Sequence, residues 1–542
     1  MYDELLAVLI AAFPVSVQAQ SESSAASATA LLAQDDAAAE DARLIAMLKR
    51  SIPQTMRRHG TPGLNIALAR HGKVIWEEGF GLADLDAGKP MTKDTVLRSG
   101  SMGKTYTATA VMRLSDQGLI EIVDPINDYL KGFQVVNPLG EREVTFLDLL
   151  THRSGLGGNA AGCSFSRPKP LGEHLTLEYP KKFFWSYGEL TLPRWTSRAG
   201  ERFMYSNFGM ATLGYLVEAI NEDGLTFSEY VQENILDPLG MSSSQYPPVQ
   251  DEEHIRPEIF ERLSKGYARF GRFYLPTPTI YFSDYPAGAM VTTPGDHIRL
   301  LLAYHEGVTF DGYKLLEEST VKKMLSPKAD PFLGLVWFLE NVGQWNSSFG
   351  HGGAHMYGWM NHFACYPKQD FAVVVATNQW VMHGGRSSEV TEIPGMISKF
   401  LSNPDRVQPS TDEPLAPVPT YVCCDVKTSV PGSPSWKRSY VVGLVVAERL
   451  KGSLGIKDSL DAAMVQKMAG GVRVRTEPGE EALEWDPDGF RAGVNDMLSA
   501  EMTPTAIAAF LASDRVRVNQ KEMQSIGREL GGDGAPRFGV IQ

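Results

Sequence analysis

The sequence predicts an α+β fold, with an antiparallel sheet flanked by helices, a helical lobe beside it, and a smaller C-terminal domain. Three observations predict it. Strand-like runs fall near the two ends of residues 42–402, at Leu64–Gly81 and Met360–Thr377, and helical runs fill the middle. Strands first and last with helices between them suit an antiparallel sheet made from both chain ends, not a wound parallel one. Residues 403–419 are then rich in Pro, Ser and Asp and read as a linker to residues 420–542, in a chain of 542 residues that is too long for one ordinary core.

Taken in order, Leu5–Val17 is an apolar run broken by Pro14, too short to span a bilayer, and Val17-Gln18-Ala19 offers small residues for cleavage. Residues 1–19 are therefore expected to be a signal peptide, which implies a periplasmic or secreted address. The acidic Met1-Tyr2-Asp3-Glu4 departs from the basic start such signals usually carry. Residues 20–41, rich in Ser and Ala without periodicity, are expected to be a flexible leader. Leu64–Arg70 and Lys73–Gly81, joined by His71-Gly72, predict a β-hairpin. No charge appears between Lys104 and Arg113, which predicts a largely buried helix.

Val144–His152 has the start signal and spacing of a short helix, ended by Arg153-Ser154-Gly155. Residues 157–200 read as a long irregular loop, of the kind that is usually functional. Its Phe183, Phe184, Trp185, Tyr187 and Trp195 suit either burial of an apolar substrate group or plain packing. Helices are expected at Gly209–Ile220, with Asn207 a candidate cap, at Phe227–Ile235, and at Pro294–His305. Phe332–Leu339, Met360–Tyr366 and Phe371–Thr377 read as strands, and Glu389–Leu401 as a closing helix. Beyond the linker, Tyr440–Leu450 is strand- or helix-like and Ser459–Met468 and Thr503–Leu511 have helical spacing, without any catalytic constellation.

A net charge of −13 argues against nucleic acid and anionic membranes as partners. No integral membrane span is expected after processing. The four cysteines, Cys163, Cys365, Cys423 and Cys424, lack metal-ligand spacing. Cys365 sits in a strand-like run and reads as a buried thiol. A link from Cys163 to Cys423 or Cys424 stays open.

The chemistry centres on Ser101-Met102-Gly103-Lys104. A serine hydroxyl needs a nearby base, and a lysine serves as one when its surroundings lower its pKa. Three residues apart at a helix start, the two side chains share a face. The same four residues alone also fit a capping serine beside a solvated lysine. Tyr205-Ser206-Asn207 and His351-Gly352-Gly353 follow at a distance, the glycines marking a close backbone approach.

These three pieces, in this order, resemble the penicillin-recognising serine hydrolases, the branch that holds class C β-lactamases, DD-peptidases, D-aminopeptidases and related esterases. Thr145–Leu156, Asp237–Met241 and Pro286–Thr293 are similar to that family's framework segments. The resemblance covers residues 42–402 and implies a β-lactamase/transpeptidase-like fold. It implies that Ser101 is the acylated nucleophile, that Lys104 and Tyr205 share the proton work, and that Asn207 contacts the substrate. The base is assigned to neither Lys104 nor Tyr205 by the sequence. His351 stands where many members carry lysine, so an anchor for a substrate carboxylate is weakened. Gly352 and Gly353 let the strand approach, and the N–H groups of Ser101 and Ala354 would form an oxyanion hole.

The resemblance implies a serine peptidase or amidase acting on small peptides with D or unusual residues, and the layout is similar to bacterial hydrolases of linear microcystin. A carboxylesterase or weak β-lactamase is the alternative, and a non-catalytic penicillin-type sensor is a third. No metal or organic cofactor is implied.

Overall fold

The computed structural model describes residues 14–499 apart from 158–162, 165–166, 182, 186–190, 271–272, 306–308, 311, 356–357, 382–388, 405–419, 424–432, 455–461, 471 and 477–484. The chain opens with helix α1, Pro14–His59. Strands β1 (Gly63–Arg70), β2 (Lys73–Asp84) and β3 (Lys89–Pro90) follow, then helix α2 (Lys104–Asp116) and helix α3 (Asn207–Ile220). Strands β4 (Tyr267–Phe270) and β5 (Phe273–Pro276) precede helix α4 (Pro294–His305). Strands β6 (Phe338–Glu340), β7 (Ser348–His355), β8 (Trp359–Tyr366), β9 (Phe371–Thr377) and β10 (Gln379–Val381) lead to helix α5 (Glu389–Ser402). Beyond it lie β11 (Thr420–Cys423), α6 (Pro434–Leu454), β12 (Arg473–Thr476) and α7 (Pro487–Ser499).

The main sheet has seven strands in the order β6-β7-β8-β9-β1-β2-β3, so the two chain ends meet where β9 pairs with β1, Leu64 opposite Thr377 and Arg70 opposite Phe371. Its neighbouring pairs are antiparallel. The β1–β2 turn is His71-Gly72, with φ of 55° and 69°. Two positive φ values are what a two-residue turn needs to match strand twist, and glycine takes one of them without a steric penalty.

Side chains alternate between the sheet's faces. Leu64, Ile66 and Leu68 of β1 join Val373 and Val375 of β9 against Leu44, Leu48 and Ile52 of α1 and Ile393 and Ile397 of α5. Ala67, Ala69, Val374 and Phe363 face the other way, into the core shared with α2, α3 and α4. Both faces are thus covered, and each buried Leu, Ile or Val contributes roughly 1.5–3 kcal/mol. Helix α2 is buried although three threonines line it. Those hydroxyls find partners: Thr105 donates to the Met102 carbonyl, Thr107 to that of Pro286 and Thr109 to that of Thr105.

Several expectations change. Residues 20–41 lie inside α1 and do not form a leader without structure. Alanine, frequent there, has the highest helix propensity, and absence of an apolar stripe does not forbid a helix. The long loop holds a helix at Leu171–Glu178 and short strands at Cys163–Ser164, Phe183–Trp185 and Thr191–Pro193. The cap of α3 is Ser206, whose hydroxyl accepts from the Gly209 N–H, and Asn207 is the first helical residue. Phe332–Leu339 is strand only from Phe338. Tyr440–Leu450 belongs to α6 and Ser459–Met468 overlaps a helix at Ala462–Gly470. Cys365 is buried in β8, while Thr503–Leu511 and Cys424 lie outside the described residues.

A second sheet, β10-β4-β5-β12-β11, joins strands from both sides of residues 403–419. The pairs Arg473–Tyr274 and Val474–Phe273 fix β12 on β5, and Trp485 packs on Phe273 with ring centroids 5.5 Å apart.

Candidate active site

Ser101 lies in a single 3₁₀ turn, Gly100–Gly103, that runs into α2. In a 3₁₀ turn residues three apart eclipse each other. Lys104 Nζ accordingly donates to Ser101 Oγ at 3.0 Å. It also donates to the Ala287 carbonyl at 2.6 Å. Lys104 is fully buried. Burial pulls its pKa down to about 7, and the negative charge of Asp284 resists. Both requirements for a lysine base, reach and a lowered pKa, are therefore met.

Tyr205 completes a trio. Its phenol hydrogen-bonds the Ser101 side chain, and burial pushes its pKa up, that bond opposing. Its ring lies 4.9 Å from Lys104 Nζ. Two backbone bonds to one residue hold it there: the Met204 N–H donates to the His152 carbonyl at 2.6 Å and the Ser206 N–H to His152 Nδ1 at 3.3 Å. The His152 ring packs on that of Tyr205 at 4.5 Å. His152 has φ of 54°, a conformation non-glycine residues rarely adopt. Burial, followed by the charge of Lys104, drives its pKa well below the ordinary range, so it stays neutral.

Strand β7 closes the other side. A Cβ on Gly100 (φ 57°) would come 2.6 Å from the Ala354 backbone, and one on Gly353 would strike the Ser99 carbonyl. The Asn361 side chain donates to the Arg98 and Ser99 carbonyls, pinning β8 to the same segment. The backbone just before Ser101 thus lies against that of Ala354.

His351 of β7 is buried, its ring 6.3 Å from that of Tyr205. Its Nδ1 lies 2.6 Å from the Gly352 carbonyl. A carbonyl only accepts, so Nδ1 carries the proton and Nε2 is left an acceptor, with no partner among the described residues. Burial, aided by Lys104, pulls this imidazole down to about 3. Asn207 is half-buried at the start of α3, two residues from Tyr205.

The structure thus brings together Ser101, Lys104, Tyr205, His351 and the Gly352–Ala354 strand. Of the loop aromatics, Trp195 lines a cavity of about 720 Å³ with Phe133, Tyr179 and Pro193. Phe183–Trp185 pair with Thr191–Pro193, and Tyr187 lies outside the described residues. Sequence reasoning missed His152 and Asp284 as parts of the site. Thr145–Leu156 and Pro286–Thr293 pointed to their neighbourhoods only.

The family model described as Beta-lactamase matches residues 48–393. The chain belongs to the β-lactamase family. It is 28% identical to a β-lactamase of Yersinia enterocolitica over 196 residues, 36% of this chain and 44% of that one. It is 38% identical to Esterase EstB of Burkholderia gladioli over 117 residues, 21% of this chain and 30% of the esterase. The chain therefore spans less than half the length of either relative. The D-amino acid amidase of Ochrobactrum anthropi SV3 shares the fold, with a TM-score of 0.51 at 20% identity over 67% of this chain and 97% of that one. The family is one of serine hydrolases, and its members here carry different activities.

Proposed function

We propose that this chain hydrolyses amide bonds in small peptides that contain D or otherwise unusual residues, linearised microcystin among them, through an acyl-enzyme on Ser101. The observation that carries the choice is His351. A β-lactam presents a carboxylate, which a cation would anchor. His351 is neutral near pH 7 and offers an acceptor Nε2. Such a group suits a substrate N–H or O–H and repels a carboxylate. In the acylation step Lys104 takes the Ser101 proton as Oγ attacks the carbonyl carbon. The oxyanion lies against the Ser101 and Ala354 N–H groups. Tyr205, kept protonated by burial, gives its proton to the departing amine and regains one from Lys104. Amide leaving groups need that proton, whereas activated esters do not. Water then releases the acid from Ser101.

The preference for D-residues rests on the likeness of the Ser101, Lys104 and Tyr205 trio to enzymes that acylate on them. A carboxylesterase is the second reading, favoured by the 38% identity with the esterase segment. The deciding experiment follows products by mass spectrometry across matched peptides with D or L residues before the scissile bond, p-nitrophenyl esters and β-lactams, with Ser101→Ala as the blank. The D-peptides are expected to give the highest kcat/KM. Turnover of esters alone would replace the peptidase by the esterase.

A further inference from the structure

We propose that Asp284 is a positioning residue for the Ser101 site, its buried carboxylate fixing the charge of Lys104 and so the pH at which that lysine can act as a base. The inference rests on the reading of Lys104 as the base. Asp284 is 2% exposed, and a carboxylate that deep needs a compensating charge or bond. It immediately precedes the 3₁₀ turn Tyr285–Ala287, and that turn is tied to the catalytic helix. Its Ala287 carbonyl accepts from Lys104 Nζ, and its Pro286 carbonyl accepts from Thr107 Oγ1 and from the Tyr246 hydroxyl. Three hydrogen bonds thus fix where the aspartate stands relative to the lysine.

The charges acting across that gap are reciprocal. Asp284 favours the protonated lysine, and Lys104 favours the ionised aspartate, while burial pushes each toward neutrality. Among the other titratable groups on the facing elements, the Glu218 carboxylate of α3 accepts from the Tyr285 hydroxyl, and those around Lys104 carry no charge near neutral pH. His152 and His351 are neutral, and burial holds Tyr205 and Tyr246 protonated. Among the described residues Lys104 and Asp284 each act on the other's charge, and they titrate as a pair. The turn is remote from Lys104 in sequence, and nothing at Phe282-Ser283-Asp284-Tyr285 announces the role.

The test is the rate at which a fluorophosphonate probe labels Ser101 between pH 5 and 9, each protein normalised to its own alkaline plateau. This readout does not depend on the natural substrate, so a failure to cleave peptides and a failure of the aspartate are told apart. Asp284→Asn removes the charge that holds the proton on Lys104. Its acid limb should move down by about one unit, raising normalised labelling at the foot of the limb about tenfold. Asp284→Glu restores the charge and should bring the limb back. An unmoved limb in Asp284→Asn, an equal shift in Asp284→Glu, or absence of labelling at Ser101 in the unmodified protein overturns the proposal. Should Asp284→Asn not fold, Lys104→Met reads the pair from the other side. With the cation gone the aspartate's pKa rises further, and stability tied to its protonated form is lost as pH climbs. The Tm of Lys104→Met should therefore fall more steeply from pH 6 to 8 than that of the unmodified protein, and a parallel profile overturns the proposal.

Discussion

Lys104 Nζ and the Tyr205 phenol both reach the Ser101 hydroxyl, and burial acts on them in opposite senses. It moves the lysine toward its neutral, basic form and the tyrosine away from its anion. A phenolate base would have to form against that gradient, which favours Lys104 as base and Tyr205 as acid in the proposed mechanism. In that proposed mechanism the two act in one proton relay. Lys104→Ala and Tyr205→Phe should each lower kcat on an amide substrate by on the order of 10²–10⁴, and the double variant should cost little more than the worse single one. Losses that multiply would separate the two steps. The trio was legible because its residue types carry the chemistry and its spacing resembles a known family. Its supports were not. His152 holds the residues on either side of Tyr205 through a backbone carbonyl and a ring nitrogen, and Asp284 comes near Lys104 only after folding, so neither leaves a local pattern.

Among the elements, β7 shows how much of the site is backbone. Gly353 has no room for a side chain, since a methyl there would strike the Ser99 carbonyl and approach Met102 Cγ to 2.9 Å. Gly353→Ala must push β7 away from the Ser101 turn and with it the Ala354 N–H. The expected cost is on the order of 10²–10³ in kcat and about 1–3 kcal/mol of stability. At Gly352 the nearest obstacle to a methyl is the Asn361 carbonyl at 4.0 Å, so Gly352→Ala should keep its Tm. Thermal melts and steady-state rates on the two variants check this; similar Tm losses in both would mean that β7 does not press on the turn. The hairpin β1–β2 was legible because its turn chemistry is local. The pairing of β12 with β5 was not, because a four-residue strand finds its partner about two hundred residues earlier in the chain. Helix α1 was hidden for a different reason: alanine-rich sequence carries helix propensity without an amphipathic stripe.

At the scale of the whole molecule, a sheet covered on both faces buries many groups that would rather be charged. Strands placed first and last made that sheet legible; the resulting burial of single histidines far apart in sequence did not show. Five imidazoles, His152, His174, His297, His351 and His362, have pKa values lowered by burial. His297 and His351 are pulled to about 3 and His362 to about 4. In the unfolded chain each would titrate near 6.5. Between those values the unfolded state binds more protons, so folding stability is present above about pH 6.5 and is lost as pH falls toward 4. Glu218, Asp284 and Asp296 work the other way, since burial raises their pKa values and their protonated forms favour the fold as pH falls. Among the described residues five groups oppose three, and the histidine window opens at the higher pH. Every net proton taken up on unfolding is worth about 1.4 kcal/mol per pH unit. The Tm should therefore drop steadily between pH 6.5 and 4.5, before the ordinary carboxylates protonate. His297→Gln, which keeps a hydrogen-bonding group for Tyr106 but cannot titrate, should flatten the slope by up to one proton's worth. A Tm that holds constant or rises on acidification to pH 4.5 would show that the buried imidazoles do not govern the acid limit of this fold.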